Sequence, residues 1–539
     1  MIEVPVLIVG GGPVGLSASI LLSRLGVASR LVERHSGTAF HPKARSINMR
    51  TMEVFRQCGI EEAVRAAGLS PERTGFIIWT ESLAGREIER RVPKRSVAEA
   101  PITAAPHCLC AQDDLEPVLR RHAESLAPGA VTFETELTEF DQDADGVTAT
   151  IRDARGETKI RARYMIGADG PRSRVRQTLG IPMNGTPAVY RSVNVLLNVD
   201  LTPWVSHRPA ALYFVQQPGL QAVFLTINGI NRWGFLINLP LAGPDEPYTP
   251  ERCQAIVRRA AGVPDLDVRI LGIDPWVAAS LVAERFQSGR VFLAGDAAHT
   301  MPPTGGFGQN SGVQDVHNLT WKIAAVLKGW AAPALLDTYQ EERRPYGKFV
   351  TEQSLRSAIS MRRGVATDND GPSAAADARP EFQNEIGMVF GARYASAAVI
   401  PDGTPPPTIE NPVAQYTPSA RPGERAPHVW LECNGRPVAV LDLVDFRFVL
   451  LAGERGSPWR DAARALSTSL GVPLSAYTVG AGADLEDPER RWATACEVEV
   501  DGAVLLRPDY HVAWRSRRGA TEPKQVLERV LRNLLGNRA

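Results

Sequence analysis

Hydrophobic and polar positions divide the 539-residue chain into three stretches of different rhythm. The first alternates short β-branched runs with helical spacing. Residues 4–9 are continuously apolar and predict a buried strand, Ala18, Leu21, Leu22 and Leu25 recur at helical spacing, and residues 29–32 predict a second strand. Further on, 131–151 alternates as a hairpin pair with Asp145-Gly146 as a two-residue turn, and 161–166 and 291–294 read as buried strands. Helical patterns are predicted over 50–58 and from Gln112, where Asp113 or Asp114 caps the helix and leaves Gln112 free to face a ligand. Another follows Gly312, with Val316, Leu319, Ile323, Val326 and Leu327 on one side and Lys322 and Lys328 toward its far end.

The middle stretch, from about 185 to 275, is different. Runs at 193–197, 211–215, 222–226 and 233–237 recur at roughly ten-residue spacing, which predicts a mostly antiparallel sheet. Its aromatic residues are either core or the floor of an apolar pocket. Phe214, Phe224, Trp233 and Phe235, with Pro302 from a later loop, are the candidates for touching a substrate. Residues 70–105 mix short apolar runs with Pro93, Pro101 and Pro106 and read as irregular structure with strands. Residues 362–425 read as loops or a linker. Beyond 426, strands are predicted at 438–443, 446–451 and 502–506, and helices at 460–470 and 522–535.

Composition adds mainly exclusions. Sixty basic and sixty acidic residues cancel, so bulk charge points to no nucleic-acid partner. An apolar content of 44% without a long apolar run argues for a soluble globular chain with no membrane span. The first residues lack a basic leader and a cleavage site, so the expectation is a cytoplasmic protein. Six scattered cysteines without Cys-x-x-Cys spacing read as free thiols, and no metal site is expected.

The chemistry lies in three loops. Gly10-x-Gly12-x-x-Gly15 follows the first strand and opens the first helix, and Glu33 ends the second strand. This is the dinucleotide fingerprint in its required context. Gly10 permits a tight turn, Gly12 lets backbone meet a pyrophosphate, Gly15 lets helix approach strand, and Glu33 takes ribose hydroxyls. The acid disfavours a 2′-phosphate in that slot, so FAD or NAD fits and NADP does not. The second loop, Asp169-Gly170-x-x-Ser173-x-x-Arg176, also follows a strand. The third is Gly295-Asp296 with Pro302-Pro303 and the glycines Gly305, Gly306, Gly308 and Gly312 leading into a helix, a seat for an anion. Arg45, in a basic segment, reaches a pyrophosphate or the flavin side of a site, or is a solvated loop charge.

Together the loops resemble the single-component FAD-dependent aromatic hydroxylases, the para-hydroxybenzoate and phenol hydroxylase family. Gly295-Asp296-Ala-Ala-His299, Gly308-x-Asn310-x-Gly312 and Asp315-x-x-Asn318 extend the likeness, and Arg507-Pro508-Asp509-x-His511 resembles the longer members that hydroxylate polyketide and other polycyclic phenols. The resemblance implies an α/β chain, α+β overall. A Rossmann-like FAD-binding domain covers 1–180 and 276–400, with 70–105 contributing to the substrate side. A mostly antiparallel substrate domain covers 181–275, and a thioredoxin-like domain without a redox cysteine pair covers 401–539.

It further implies that Gly10, Gly12, Pro13, Gly15, Glu33, Arg34, Arg45, Gln112, Asp169, Gly295, Asp296, Pro303, Gly306, Gly308, Gln309 and Asn310 bind FAD. Glu33 would hold the adenosine ribose, Arg45 and Gln112 the pyrophosphate and ribityl region, and Asp296 a ribityl hydroxyl. Asp169 would also meet the nicotinamide cosubstrate, NADPH or NADH. No catalytic residue is singled out beyond support from Pro303 and Arg45, and His299 is read as structural. The implied reaction passes oxygen from O2 to an electron-rich aromatic small molecule through a flavin 4a-hydroperoxide. Baeyer–Villiger, epoxidising or ring-rearranging oxygenation, and flavin oxidase or reductase activity, would leave the same marks. A monomer or homodimer fits.

Overall fold

The structure is a computed structural model that describes all residues except 74, 93–101, 243–245, 364–384 and 537–539. Pro93, Pro101 and much of the stretch read as a linker therefore lie outside the described residues. No helix among those described is long and apolar enough to cross a membrane.

Two eight-stranded sheets carry the site. The first is built on parallel strands in the order Val291–Leu293, Gly156–Gly167, Ile2–Val9, Ser29–Val32 and Val131–Thr132. Its central strands are buried on both faces and therefore read as continuous apolar runs: Val6, Leu7 and Ile8 are fully buried. The expected hairpin pairs Glu136–Gln142 with Val147–Asp153; Gln142 lies opposite Val147 and the Asp143 N–H donates to the Gly146 carbonyl at 2.9 Å, so the two residues at the tip are Ala144 and Asp145, one position before the expected Asp145-Gly146. Val131–Thr132 belongs elsewhere, as the edge strand beside Ser29–Val32.

The second sheet runs His299–Thr300, Arg269–Ala283, Met183–Asn198, Arg232–Leu239, Leu220–Thr226, Leu212–Gln217, Ile77–Thr80, Glu87–Arg91. All neighbours are antiparallel except Leu212–Gln217 with Ile77–Thr80. The boundary expected at 275/276 falls inside the strand Arg269–Ala283, which ladder bonding carries through without a break. One face of this sheet packs a core of its own around Tyr213, Phe224, Trp233 and Phe235, covered by the helix Pro250–Ala261.

The C-terminal part holds a four-stranded sheet ordered Leu474–Val479, Phe448–Gly453, Ala503–Leu506, Val512–Ser516, with helices Ser457–Leu470 and Pro523–Leu534 packed together. The strand expected at 438–443 ends at Ala439, and Val440–Leu443 is a 3-10 turn. Period two sorts its central strand: Phe448, Leu450 and Ala452 join the large core shared with the first sheet, while Val449 and Leu451 face a separate cluster. Phe448 meets Trp321 edge-on at 5.7 Å, so the unit is fused to the helix Phe307–Leu327. That helix is buried almost all round rather than along one stripe. Lys322 accordingly does not reach solvent; it is fully buried and donates to Glu342 Oε2 at 2.8 Å.

Candidate active site

Register places the three loops side by side. Val9 lies opposite both Val32 and Gly167, and Gly167 lies opposite Leu293, so all four strands end at one edge of the parallel sheet. The residues that follow, Gly10, Glu33, Ala168 and Ala294, therefore leave the sheet together. Ligands of such sheets sit outside the carboxyl ends of the strands. Here that edge opens into a cavity of about 1780 Å³, larger than the roughly 300–1,000 Å³ of a single-ligand pocket.

Each glycine of the first loop has its own reason. Gly10 has φ +112°, and a Cβ there would lie 2.3 Å from the Ala168 carbonyl oxygen. A Cβ on Gly15 would lie 1.9 Å from the Gly10 carbonyl oxygen, so only glycine lets the helix Pro13–Arg24 approach the strand. At Gly12 the nearest atom to such a Cβ is Glu116 Oε1 at 4.0 Å, so backbone faces open cavity. Pro13 occupies the first helical turn, where its missing N–H costs nothing. Glu33 accepts from the Gly11 N–H at 2.6 Å and from the His35 N–H at 2.9 Å, which fixes its carboxylate beside the loop. Arg34 is exposed and lines the cavity next to it.

The second loop is more structural than expected. Asp169 Oδ2 accepts from the Val175 N–H at 3.0 Å and Oδ1 from the Ser173 hydroxyl, so its carboxylate is engaged in starting the helix Arg174–Thr178. Arg176 donates to the Ala297 carbonyl at 3.0 Å and ties this loop to the third; burial lowers its pKa, with Asp169 opposing.

In the third loop Gly295 has φ +62°, and its N–H donates to Asp315 Oδ2 at 3.0 Å. The same oxygen lies 2.8 Å from His299 Nε2, and Arg343 Nε donates to Asp315 Oδ1 at 2.8 Å. Burial works to raise Asp315, but His299 and Arg343 hold it below the ordinary carboxylate range. His299 is thus part of a fully buried clamp under the loop. Asp296, next along, is open to the cavity yet deep, and no described group hydrogen-bonds to its carboxylate. Burial raises its pKa against the pull of His299 and Lys43.

Gly306, at φ +72°, caps the helix Phe307–Leu327, and a Cβ on Gly308 would find nothing nearer than Asp296 Oδ1 at 3.9 Å. Pro303 and Gln309 line the same wall, and both amide atoms of Gln309 are shut from solvent without a partner. Asn310 braces the wall from behind, accepting from the Asn48 N–H and donating to the Ser46 and Gly306 carbonyls.

Several expected residues are turned elsewhere. Arg45 borders the cavity, but its guanidinium donates to the Thr226 and Ala211 carbonyls at 2.9 and 2.8 Å, joining the basic segment to the second sheet rather than reaching for a pyrophosphate. Gln112 holds the neighbouring segment, accepting from the Lys43 N–H at 3.2 Å and donating to Glu116 at 2.7 Å. Neither Asp113 nor Asp114 caps its helix, whose N-cap is Ala111; both pair with Arg232.

Among the sheet aromatics, Phe214 lies on the cavity side and stacks on Trp79 at 5.1 Å. Trp233 and Phe224 are buried in the opposite core, away from the cavity. Phe235 packs there on Phe224 at 4.6 Å and borders the cavity only from behind. Pro302 is buried and does not line it. The cavity side belongs to the alternate positions, among them Leu212, Val223, Leu225 and Leu236, and to Trp79 of a strand far ahead in the chain. Their spacing of two was present in the sequence; which of the two sets faces inward was not.

The free groups suit FAD: the open cradle at Gly12, the unpartnered Asp296, the orphan amide of Gln309 and the helix start beside them. Replacing Asp296 by alanine is expected to weaken FAD binding roughly 10- to 100-fold, the scale of a lost hydrogen bond to a charged group, while the chain stays folded. Fluorescence titration of the apoprotein with FAD checks this.

Comparison with known proteins agrees with this geometry. Residues 3–354 match a family model described as FAD binding domain, and 419–537 one described as aromatic-ring hydroxylase, C-terminal. The chain is 43% identical to a putative polyketide hydroxylase of Streptomyces halstedii, over 99% of this chain and 96% of that one. It is 40% identical to the tetracenomycin B2 monooxygenase-dioxygenase of Streptomyces olivaceus, over 99% of each. The crystal structure of the flavin-dependent monooxygenase PieE, in complex with FAD and substrate, superposes with a TM-score of 0.93 at 36% identity, covering 100% of each chain.

Proposed function

Since the chain belongs to the FAD-dependent aromatic-ring hydroxylases and is a flavin monooxygenase, we propose that its reaction is the NADPH- or NADH-driven hydroxylation of a planar, polycyclic, polyketide-type phenol by O2. One observation carries the reading. A single cavity joins the open Gly12 cradle and the free Asp296 carboxylate to an apolar sheet wall where Phe214 stacks on Trp79.

Bound FAD supplies hydride acceptance and oxygen activation; the protein supplies position and exclusion of water. Gly10, Gly12 and the start of the helix Pro13–Arg24 seat the pyrophosphate, Glu33 the adenosine ribose, and Asp296 the ribityl chain. Pro303, Gly306, Gly308 and Gln309 border the ring system, where the start of the helix Phe307–Leu327 favours negative charge. Asp169 and Arg34 line the same cavity, and the encounter with the nicotinamide cosubstrate is assigned to them. Gly295, Gly15, Asn310, Gln112 and Arg45 act by holding these groups in place.

The FAD-loaded protein should bleach on anaerobic addition of NADPH or NADH, and faster when a polycyclic phenol is present. In air, isotopically labelled O2 should leave one labelled oxygen atom in the product. Flavin bleaching that is indifferent to the phenol, with no label in product, would replace the hydroxylase reading by an oxidase or reductase.

A further inference from the structure

The cavity wall formed by the second sheet is largely apolar, with Leu212, Phe214, Val223, Leu225 and Leu236 on it, and carries a cross-strand pair of polar side chains. Asn194 and Asp274 lie directly opposite each other on adjacent strands, so their side chains share a face with Cβ atoms about 5 Å apart. That face is the cavity face, because the intervening Val193, Val195 and Ile273 point into the core on the other side. Trp276, two residues from Asp274, donates its indole N–H to Asn194 Oδ1 at 2.9 Å.

An indole nitrogen only donates, so this bond fixes which way the carboxamide points. Oδ1 is occupied, and the two donors on Nδ2 have no partner among the described residues. Asp274 is half-buried in the same wall and has neither a hydrogen bond nor an ion pair among the described residues. On its other side, one pleat along, a Cβ on Gly272 would come 3.2 Å from the ring of His41. Both nitrogens of that ring are shut from solvent without a partner, while the Asn194 amide and the Asp274 carboxylate face the cavity with donors and acceptors free for a ligand.

Resting on the function proposed above, we infer that Asn194, Asp274 and His41 form a niche that reads two neighbouring oxygens on the edge of the planar substrate. Asn194 Nδ2 donates to one oxygen, and the Asp274 carboxylate accepts from the hydroxyl beside it. His41 bounds the niche with one donor or acceptor more. Trp276 is a positioning residue that acts through Asn194. The substrate class is thereby narrowed to polycyclic phenols that carry a second oxygen next to the first.

The test is equilibrium binding to the FAD-loaded enzyme, read as flavin difference spectra, with 2,3-dihydroxynaphthalene and 2-naphthol as probes. The wild type should bind the diol about tenfold or more tightly than the single phenol. In Asp274→Ala, and separately in Asn194→Ala, the preference should fall to about threefold or less. Flavin content and melting temperature report whether each variant is folded, and either variant alone suffices. Equal binding of both probes by the wild type, or a preference that survives in a folded variant, overturns the niche and leaves the proposed function standing. Failure of the wild type to bind either probe overturns both.

Discussion

Gly12→Val is expected to abolish FAD retention while leaving the melting temperature of the apoprotein within a degree or two. The two halves of this outcome come from one local geometry. Gly12 has φ −76°, a conformation open to any residue, and the nearest atom to an added Cβ is 4.0 Å away. The folded chain therefore has room for a valine side chain. That room is the proposed seat of the pyrophosphate, so the same branched side chain would occupy the position assigned to the phosphate oxygens, at a cost of about 3 kcal/mol or more in affinity. Gly15→Ala should behave in the opposite way, because its Cβ would lie 1.9 Å from the Gly10 carbonyl oxygen and disturb the chain itself. Thermal melts and FAD titration of the two variants separate a ligand seat from a packing contact within one motif. Normal flavin content in purified Gly12→Val would show that the pyrophosphate lies elsewhere.

A second large effect is expected far from the cavity. Glu342→Ala should lower stability by about 3–5 kcal/mol, measured by denaturant unfolding. Glu342 is fully buried and accepts from Lys322 at 2.8 Å and from both terminal nitrogens of Arg507 at 2.6 and 2.8 Å. Removing it leaves two buried cations with one carboxylate, Asp509, and otherwise only neutral partners such as Asn318 and the Ala398 carbonyl among the described residues. Glu342→Met combined with Lys322→Met should recover part of the loss, since an apolar pair avoids the desolvation that a lone lysine suffers.

The network also fixes a pH dependence. Burial works to raise the Glu342 carboxyl, but Arg507 and Lys322 hold it well below its ordinary value of 4.5. A carboxyl depressed in the folded state contributes stability that is complete above the unfolded value and lost as pH falls beneath it. Wild-type stability should therefore decline below about pH 4.5 more steeply than that of Glu342→Gln.

The three loops that meet at the cavity were legible from the sequence because their signals are local. A strand, a glycine turn and a helix start are contiguous in the chain, so residues 9–15 and 293–308 carried their own context. The substrate side was not legible, because facing depends on register between strands far apart. Trp233 and Phe224 share their strands with Leu236 and Val223, and nothing within a strand says which parity faces the core. Arg45 shows the complementary limit. Its partners are two carbonyls more than 160 residues away, brought close only by the assembled sheets. Asn194 and Asp274 carry no motif at all; their pairing appears only once the strands are aligned.

The parallel sheet also has a bearing on how the chain is made. Gly156–Gly167 pairs with Ile2–Val9 on one side; on the other, Val147–Asp153 covers residues 156–162, but Val291–Leu293, which covers 165–167, comes only after five strands of the second sheet have been threaded in between. During synthesis the ribosome thus exposes an apolar β edge for the time taken to add more than a hundred residues, at about 5–20 residues per second. Pairing across so long a separation is slow to nucleate and invites association with other nascent chains. Asp296 and Gln309 emerge later still, so with the flavin contacts proposed for them its capture is a closing event of biogenesis rather than a template for it. Heterologous expression should accordingly respond to slower translation and to chaperone supply more than to FAD supply.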